Sequence, residues 1–469
     1  MTSLTETLSR SAAGLPVASA DECEAFLAAH PEIQFVETFF TSLNGVPRGK
    51  RLRRSEVAKV YEGGAFVPSS IAAVDILGAD CEASGLLWET GDADGLMAPV
   101  PGGLVPAPWL GPDVAQLMCS LNSLTGEPSP YDPRAVLARV LDRYAADGLT
   151  PMVACELEFY LVESRRGHIR LRRSPITGRA PFGGEAHGLS ETEDAADFLR
   201  PLWASADAQG LPLEGVSAEA SPGQLELTLH HRADALRAAD DAVAFKRAAK
   251  GVARTLRCEA TFMAKPFAEI AGSGMHIHMS MLDADGGNIF AADGAEGTPA
   301  LRHAIGGMAA TMAEAMAVLA PNANSYRRYV ARSYAPTAPI WGVNNRTVAL
   351  RIPAGSAVSR RVEHRVAGAD ANPYLALAVV LAGAHHGLTG RIDPGAPIVG
   401  DGYAAAAASG ARLPTDWVAS VDRFDRSAVM RDYLGEAFVD LFVAVKRTEQ
   451  ERFGAVITSL DYDWYLQNA

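Results

Sequence analysis

Short strands broken by turns crowd the first quarter of the chain, and strands then alternate with helices to the end. This pattern predicts an α+β fold in two parts. Three stretches carry the prediction. Within 32–124, PEIQFVETFFTSL and RGKRL flank an Asn44-Gly45 pair, the signature of a strand–turn–strand hairpin. After Pro133, AVLARVLDRYAADG has the apolar spacing of an amphipathic helix. Further on, ADALRAADDAVAFKRAAKGVARTLR and NPYLALAVVLAGAHHG read as alanine-rich helices, the second stopped at Gly387. The expected division is a flexible tail over residues 1–20, a small domain over 21–128 and a large domain over 129–469. Residues 99–112 punctuate the small domain, 126–133 form a hinge, and 394–414 form an exposed loop.

Composition sets outer limits. With 469 residues and 48% hydrophobic content, the chain can bury a large core. A net charge of −13 argues against nucleic acid or an anionic membrane as partner. The longest apolar run, near 374–384, is too short to span a bilayer. MTSLTETLSRSAAGLPVASADE lacks a basic stretch followed by an apolar core, so no secretory signal is expected. The five cysteines form no Cys-x-x-Cys pair and read as reduced thiols of a cytoplasmic protein.

The most informative segment is 265–280, KPFAEIAGSGMHIHMS. In an extended strand His276 and His278 project from one face, beside glycines that let backbone approach a ligand. The pair suits a metal or phosphate site, and alternating polar residues in an ordinary strand remain the other reading. Carboxylates add weight to the first. Glu156 and Glu158 lie two apart in MVACELEFYLV, Glu219 and Glu226 flank the turn in SAEASPGQLELTL, and Glu363 sits between Arg361 and Arg365 in RRVEHRV. Acids side by side in apolar strands repel one another unless a cation lies between them. A multi-metal site follows, and its oxygen-rich donors suit Mg²⁺ or Mn²⁺.

These motifs stand in a recognisable order. Glu-x-Glu, Glu…Gly-Gln-x-Glu, Lys-Pro…Gly-Ser-Gly-Met-His-x-His-x-Ser, Asn345-Arg346…Arg351-Ile-Pro, Arg-x-Glu-x-Arg and Ala-Asn-Pro-Tyr together resemble the glutamine synthetase family over nearly the whole chain. LNGVPRGKR, EASPGQLELTLHH and RVAGADANPYLALA are most similar to its γ-glutamylputrescine synthetase branch. The resemblance implies an N-terminal β-grasp domain and a C-terminal catalytic domain built on an antiparallel half-barrel sheet. It implies ligation of the γ-carboxylate of L-glutamate to an amine through γ-glutamyl phosphate, with ATP as substrate and two or more Mg²⁺ or Mn²⁺ ions per site.

By position it implies Glu158, Glu219 and Glu226 for the metal nearest glutamate, and Glu156, His276 and Glu363 for the metal nearest the nucleotide. His278, Ser280, Arg346, Arg351, Arg361 and His231 fall at ATP-binding positions, and Gly272, Arg328 and Arg365 at glutamate-binding ones. Arg346, Glu158 and Arg351 carry the catalytic roles. Arg327 and Arg360 are expected as surface side chains. A homo-oligomer of two stacked six-membered rings is also implied.

Two departures concern the amine. Glutamine synthetases carry an Asp in Phe-Asp-Gly-Ser-Ser and a Glu in Gly-Tyr-Glu-Ala-Pro that bind and deprotonate ammonium. Here those positions hold Val67 and Tyr334. An apolar group and a phenol do not stabilise a small hydrated cation, but they leave room for an alkyl amine. The acceptor expected is putrescine or a related polyamine. The alternatives are another amine (ethanolamine, methylamine or an aromatic amine), or ammonium held by a neighbouring subunit's acid. A cupin-like metalloenzyme and an inactive homologue are the readings from other classes.

Overall fold

A computed structural model describes residues 15–165 and 168–469. Most of the expected tail, 1–14, lies outside the described residues. From residue 15 the chain is packed rather than loose. Leu15 and Ala18 are buried, the Ala18 N–H donates to the Pro99 carbonyl, and Ser19 caps the helix Ala20–Ala29.

Strands β1 (Phe35–Thr41), β2 (Pro47–Arg53), β3 (Ala65–Pro68), β4 (Asp94–Pro106) and β5 (Val114–Asn122) form one mixed sheet, ordered β2-β1-β5-β4-β3. The expected hairpin is present: β1 and β2 pair antiparallel around Gly45, whose φ of 70° is left-handed. β1 runs parallel to β5, and the helices Ala20–Ala29 and Val57–Gly63 pack on the sheet, as expected of a β-grasp domain. The stretch 99–112 does not break the sheet; β4 runs through it to Pro106 by way of a bulge between Pro99 and Leu104.

The second sheet comprises β6 (Thr150–Arg165), β7 (His168–Leu171), β8 (Leu213–Ala218), β9 (Gln224–Leu229), β10 (Glu259–Thr261), β11 (Met275–Leu282), β12 (Trp341–Val343), β13 (Leu350–Ile352) and β14 (Val362–His364). Its path is β12-β13-β14-β11-β6-β9-β8, with β7 and β10 also paired to β6. The long strand β6 is antiparallel to each of its four partners. This is the curled, mainly antiparallel half-barrel that the sequence predicts.

Both alanine-rich helices form, as Ala235–Thr255 and Pro373–Gly390. The second runs past its expected stop and ends at Arg391, in a left-handed conformation. Gly387 serves packing instead. A Cβ there would lie 2.1 Å from the His303 carbonyl of the neighbouring helix Pro299–Leu319, so the two backbones touch. Nor is 394–414 all loop. Its alanine run forms the helix Gly402–Ser409, started by the Asp401 cap and ended by Gly410 at φ 72°.

The expected hinge at 126–133 is bridged by buried polar contacts. Asp132 accepts from the Leu121 and Arg134 N–H groups at 2.9 and 3.1 Å. Arg134 makes a two-point pair with Asp240 at 3.0 and 3.2 Å, and the Tyr374 hydroxyl donates to the same carboxylate at 2.6 Å. Asn372 donates to the Ser42 and Leu43 carbonyls of the small domain. Removing one partner from such a buried pair strands the other charge. Asp240→Ala should therefore cost about 3–5 kcal/mol and lower the thermal midpoint by roughly 3–5 °C for a chain of this size. A midpoint within one degree of wild type would show that Arg134 finds solvent or another partner.

Candidate active site

Strand register assembles the site. β6 lies between β11 and β9, which sets His276 opposite Glu156 and Glu226 opposite Glu158. β11 also pairs with β14, setting His278 opposite Glu363, and β13 sets Arg351 opposite Glu363. Side chains opposite one another in a ladder share a face. Alternation within each strand and pairing between strands thus bring four carboxylates and two imidazoles together.

The distances confirm the convergence. His276 Nδ1 lies 3.2 Å from Glu156, 3.8 Å from Glu363 and 3.9 Å from Glu226, and its Nε2 is 3.7 Å from Glu158. His278 Nε2 faces Glu156 at 2.8 Å, without the alignment of a hydrogen bond. Two trios each offer ligand atoms within 4.8 Å of one another: Glu156, His278 and Glu363, and Glu156, Glu226 and His276. His278, expected beside ATP, therefore also stands among the groups that could hold a cation. Glu219 follows β8 at the hairpin end and belongs to neither trio, although it feels the charge of Glu158 and Glu226 feels its own.

Charge in this cluster is unevenly balanced. Burial resists ionisation of Glu156, but contacts with His276 and His278 outweigh it and hold the carboxyl far below its usual range. Glu363 is buried too, and Arg365, the two imidazoles and Arg351 bring it down to about 2. Arg351 donates to one Glu363 oxygen at 2.8 Å and Arg365 pairs with the other. For Glu226 the nearby Arg365 is too little support. Burial and the charges of Glu156, Glu158 and Glu219 push it up to about 9, and Glu219 is raised by burial and Glu158. Unmatched carboxylates beside an imidazole nitrogen without a hydrogen-bond partner fit a divalent cation.

The remaining expected residues are spread around this face. Ser280 lies two residues further along β11, buried opposite Met152. Arg361 Nε donates to His278 Nδ1 at 3.2 Å. The His231 ring meets His278 edge-on with centroids 6.0 Å apart, and partial burial with the nearby His278 and Arg361 lowers its pKa to about 4. Arg346 is solvent-exposed between β12 and β13. Arg328 is buried and donates to the Val366 and Arg365 carbonyls. It fits only because of glycine: a Cβ on Gly274 would lie 2.4 Å from its Nη2, and one on Gly272 would lie 2.9 Å from its Cγ.

The structure departs from expectation at three positions. Val67 is 3% exposed and belongs to the small domain's core with Val36, Met97 and Leu121, so it does not line a pocket. Strand alternation turns its neighbour Phe66 outward instead. Tyr334 is 61% exposed on the loop 330–338, and the two side chains are not brought together. Arg360 is not a surface residue; it is 6% exposed and donates to the Ala292 carbonyl. Arg327 is exposed as expected.

One residue with a positioning role was missed. Buried Gln224 donates through Nε2 to Glu158 at 3.3 Å, to the Gly272 carbonyl at 3.1 Å and to Ser273 at 3.4 Å. Its Oε1 accepts from Tyr160, which also donates to the Ala271 carbonyl. The Gly-Gln-x-Glu motif contains this glutamine, but spacing gives it no more meaning than a turn residue.

With the fold and site described, the chain belongs to the glutamine synthetase family: residues 130–465 match the glutamine synthetase catalytic domain. It is 40% identical over 451 residues to the Escherichia coli gamma-glutamylputrescine synthetase PuuA, covering 96% of this chain and 95% of that protein. It is 31% identical to the Streptomyces coelicolor gamma-glutamylethanolamide synthetase GlnA4, covering 97% and 96%. Among solved structures, the GmaS/ADP complex superposes with a TM-score of 0.82 at 29% identity, covering 95% of this chain and 99% of that one.

Cation binding should be linked to proton release. Glu226 keeps its proton at pH 7 because its pKa lies near 9, and a bound cation must displace that proton. Apparent Mg²⁺ affinity should then rise about tenfold per pH unit for each proton released, up to about pH 9. Calorimetric titration at pH 7 in two buffers of different ionisation enthalpy measures the release directly. Cation binding without a released proton would remove Glu226 from the ligand set.

Proposed function

We propose that this protein joins the γ-carboxylate of L-glutamate to a primary amine, using ATP and giving a γ-glutamylamide, ADP and phosphate. The observation that carries the reading is the face of carboxylates and imidazoles set in register on β6, β9, β11 and β14, with Arg351 and Arg365 at its edge. The enzymes named among its relatives, which include a glutamate–isopropylamine ligase 30% identical over 383 residues, support the same chemistry.

An amide does not form from a free carboxylate in water without activation. A glutamate γ-oxygen attacks the terminal phosphorus of ATP, ADP leaves, and γ-glutamyl phosphate results. The amine nitrogen then attacks the acyl carbon, phosphate leaves with the bonding electrons, and the nitrogen loses a proton. Glu156, Glu158, Glu219, Glu226, His276 and Glu363 would hold two or more Mg²⁺ or Mn²⁺ ions, which would supply positive charge to offset the negative charge developing on the transferred phosphate. His278, Ser280 and His231 line the nucleotide side, while Arg346, Arg351 and Arg361 hold phosphate oxygens with their planar forks. Arg328 and Arg365 receive the glutamate carboxylates beside Gly272. Glu158 and Arg351 join Arg346 as the residues on which turnover depends.

The acceptor we infer is putrescine or a related polyamine. Tyr334 stands where family members that use ammonium carry an acid, and its exposed ring can take methylenes or an ammonium over its face. Val67 contributes only by bringing no acid to its position. The working form is a homo-oligomer, in line with a half-barrel whose edge strands β8 and β12 are free among the described residues. No described helix is long and apolar enough to cross a membrane. The five cysteines are all free and buried, which supports work in the cytoplasm.

ADP release with glutamate, ATP and Mg²⁺ should depend on putrescine and respond little to ammonium. Turnover with ammonium alone would overturn the amine reading and leave a glutamine synthetase with a rebuilt ammonium site. Glu158→Ala should cut turnover by about a thousandfold, the scale of several kcal/mol of transition-state stabilisation. Its melting temperature should fall little, since relief of the crowding on Glu219 and Glu226 offsets the lost hydrogen bonds from Gln224 and the Gly274 N–H, and retained activity would overturn the metal assignment.

A further inference from the structure

The loop 330–338 that displays Tyr334 has an unusual backbone. Arg332 and Tyr334 both adopt left-handed conformations, with φ of 64° and 60°, and neither is glycine. Side chains other than Gly, Asn and Asp seldom sit there, and such a shape persists only where its surroundings fix it. Inside the loop, Ser333 donates to the Val330 carbonyl at 2.6 Å. From outside, the Leu413 N–H donates to the Thr337 carbonyl at 2.9 Å, beyond the strained pair. Ser333 also reaches back to the Arg328 carbonyl at 3.4 Å, and from the far side the Tyr403 hydroxyl donates to the Ala335 carbonyl at 3.0 Å, next to the strained pair.

Tyr403 stands on firm ground. It is the second residue of the helix Gly402–Ser409, whose Asp401 cap accepts from the Tyr403 N–H at 2.8 Å. The Gly402 N–H donates to Thr347 at 2.8 Å, and Asn345 donates to the Ile398 and Gly400 carbonyls at 3.1 and 2.9 Å. These contacts bind the helix start to the segment that carries Arg346. Tyr403 is half-buried, and that burial raises its pKa and keeps the hydroxyl protonated as a donor, although Arg365 and Arg328 lie near. The hydroxyl therefore spans from the phosphate-binding side of the site to the loop that presents Tyr334.

We propose that Tyr403 is a positioning residue that sets acceptor-amine selectivity by latching the strained loop 330–338 through the Ala335 carbonyl. This rests on the reading that Tyr334 faces the acceptor. The carbonyls that hold Arg328 and the contacts beside Arg346 do not involve the Tyr403 hydroxyl, and the other residues placed at glutamate and ATP lie on the sheet face and the 271–274 loop. Loss of the latch should be felt by the amine alone.

The test uses the full-length enzyme and two variants, Tyr403→Phe and Tyr334→Ala. ADP release gives kcat and KM for putrescine, ethanolamine and ammonium, and KM for glutamate and ATP. Tyr403→Phe keeps the ring and removes one neutral hydrogen bond. It should raise KM for the best amine roughly fivefold and narrow that amine's preference over ammonium by the same factor. KM for glutamate and ATP should stay within about twofold, and the melting temperature should hold. Unchanged amine selectivity in Tyr403→Phe, with altered selectivity in Tyr334→Ala, would overturn the latch alone. Unchanged selectivity in Tyr334→Ala would overturn the reading of the loop beneath it. An equal loss for every substrate in Tyr403→Phe would make Tyr403 a structural residue and also overturn the proposal.

Discussion

Crowding of like charge on one face of β6 is the constraint around which the catalytic domain is organised. Glu156 and Glu158 project together because they are two apart in a strand, and cross-strand pairing adds Glu226, with Glu363 beyond β11. Left to themselves these groups would spread apart or stay protonated. Imidazoles and arginines relieve half the cluster, keeping Glu156 and Glu363 ionised. The other half, Glu226 and Glu219, is left raised. A protein selected for stability alone would not keep such a half-neutralised face. One that must bind cations and phosphates can, because the ligand completes the charge balance.

Holding that face open takes rigidity behind it. The sheet backs onto the same continuous core as the helices Ala235–Thr255, Pro299–Leu319 and Pro373–Gly390. Two of those helices touch backbone to backbone through glycines, which leaves little room to relax. Gln224 carries the rigidity forward by tying Glu158 to the 272–273 loop. Asp132, which accepts from the Leu121 N–H, and Asn372, which donates to the Ser42 and Leu43 carbonyls, fix the small domain's sheet to this body, so the expected hinge is a buried polar joint.

Legibility followed period and propensity. Glu-x-Glu and His-x-His could be read because strand alternation is a local rule, and the Asn-Gly hairpin and both alanine-rich helices could be read for the same reason. Long-range register could not. Nothing in the spacing says that His278 faces Glu363 across β11 and β14, so its place among the groups that could hold a cation could not be read. Burial was hidden too. Val67 stands in a motif that suggests a site loop, yet β3 turns its side chain into the core and Phe66 outward. Arg360, like Arg327, reads as a surface arginine, but tertiary packing encloses it. Gly387 read as a helix stop because the helix against which it packs is about 80 residues away in sequence.

These limits divide the molecule in a way that bears on its chemistry. Activation of a carboxylate by ATP needs charges held to within a fraction of an ångström, and the residues for it lie on paired strands, where register fixes them. Choice of acceptor needs a surface that can differ between relatives without disturbing that geometry. Tyr334 accordingly sits on a loop attached by a few hydrogen bonds, at the margin of the site, in a backbone shape that local sequence alone does not favour. Relatives named for putrescine, ethanolamide and isopropylamine are 40%, 31% and 30% identical to this chain. On this division an acceptor can be exchanged where the backbone is cheapest to change, while the carboxylate face stays as the register sets it.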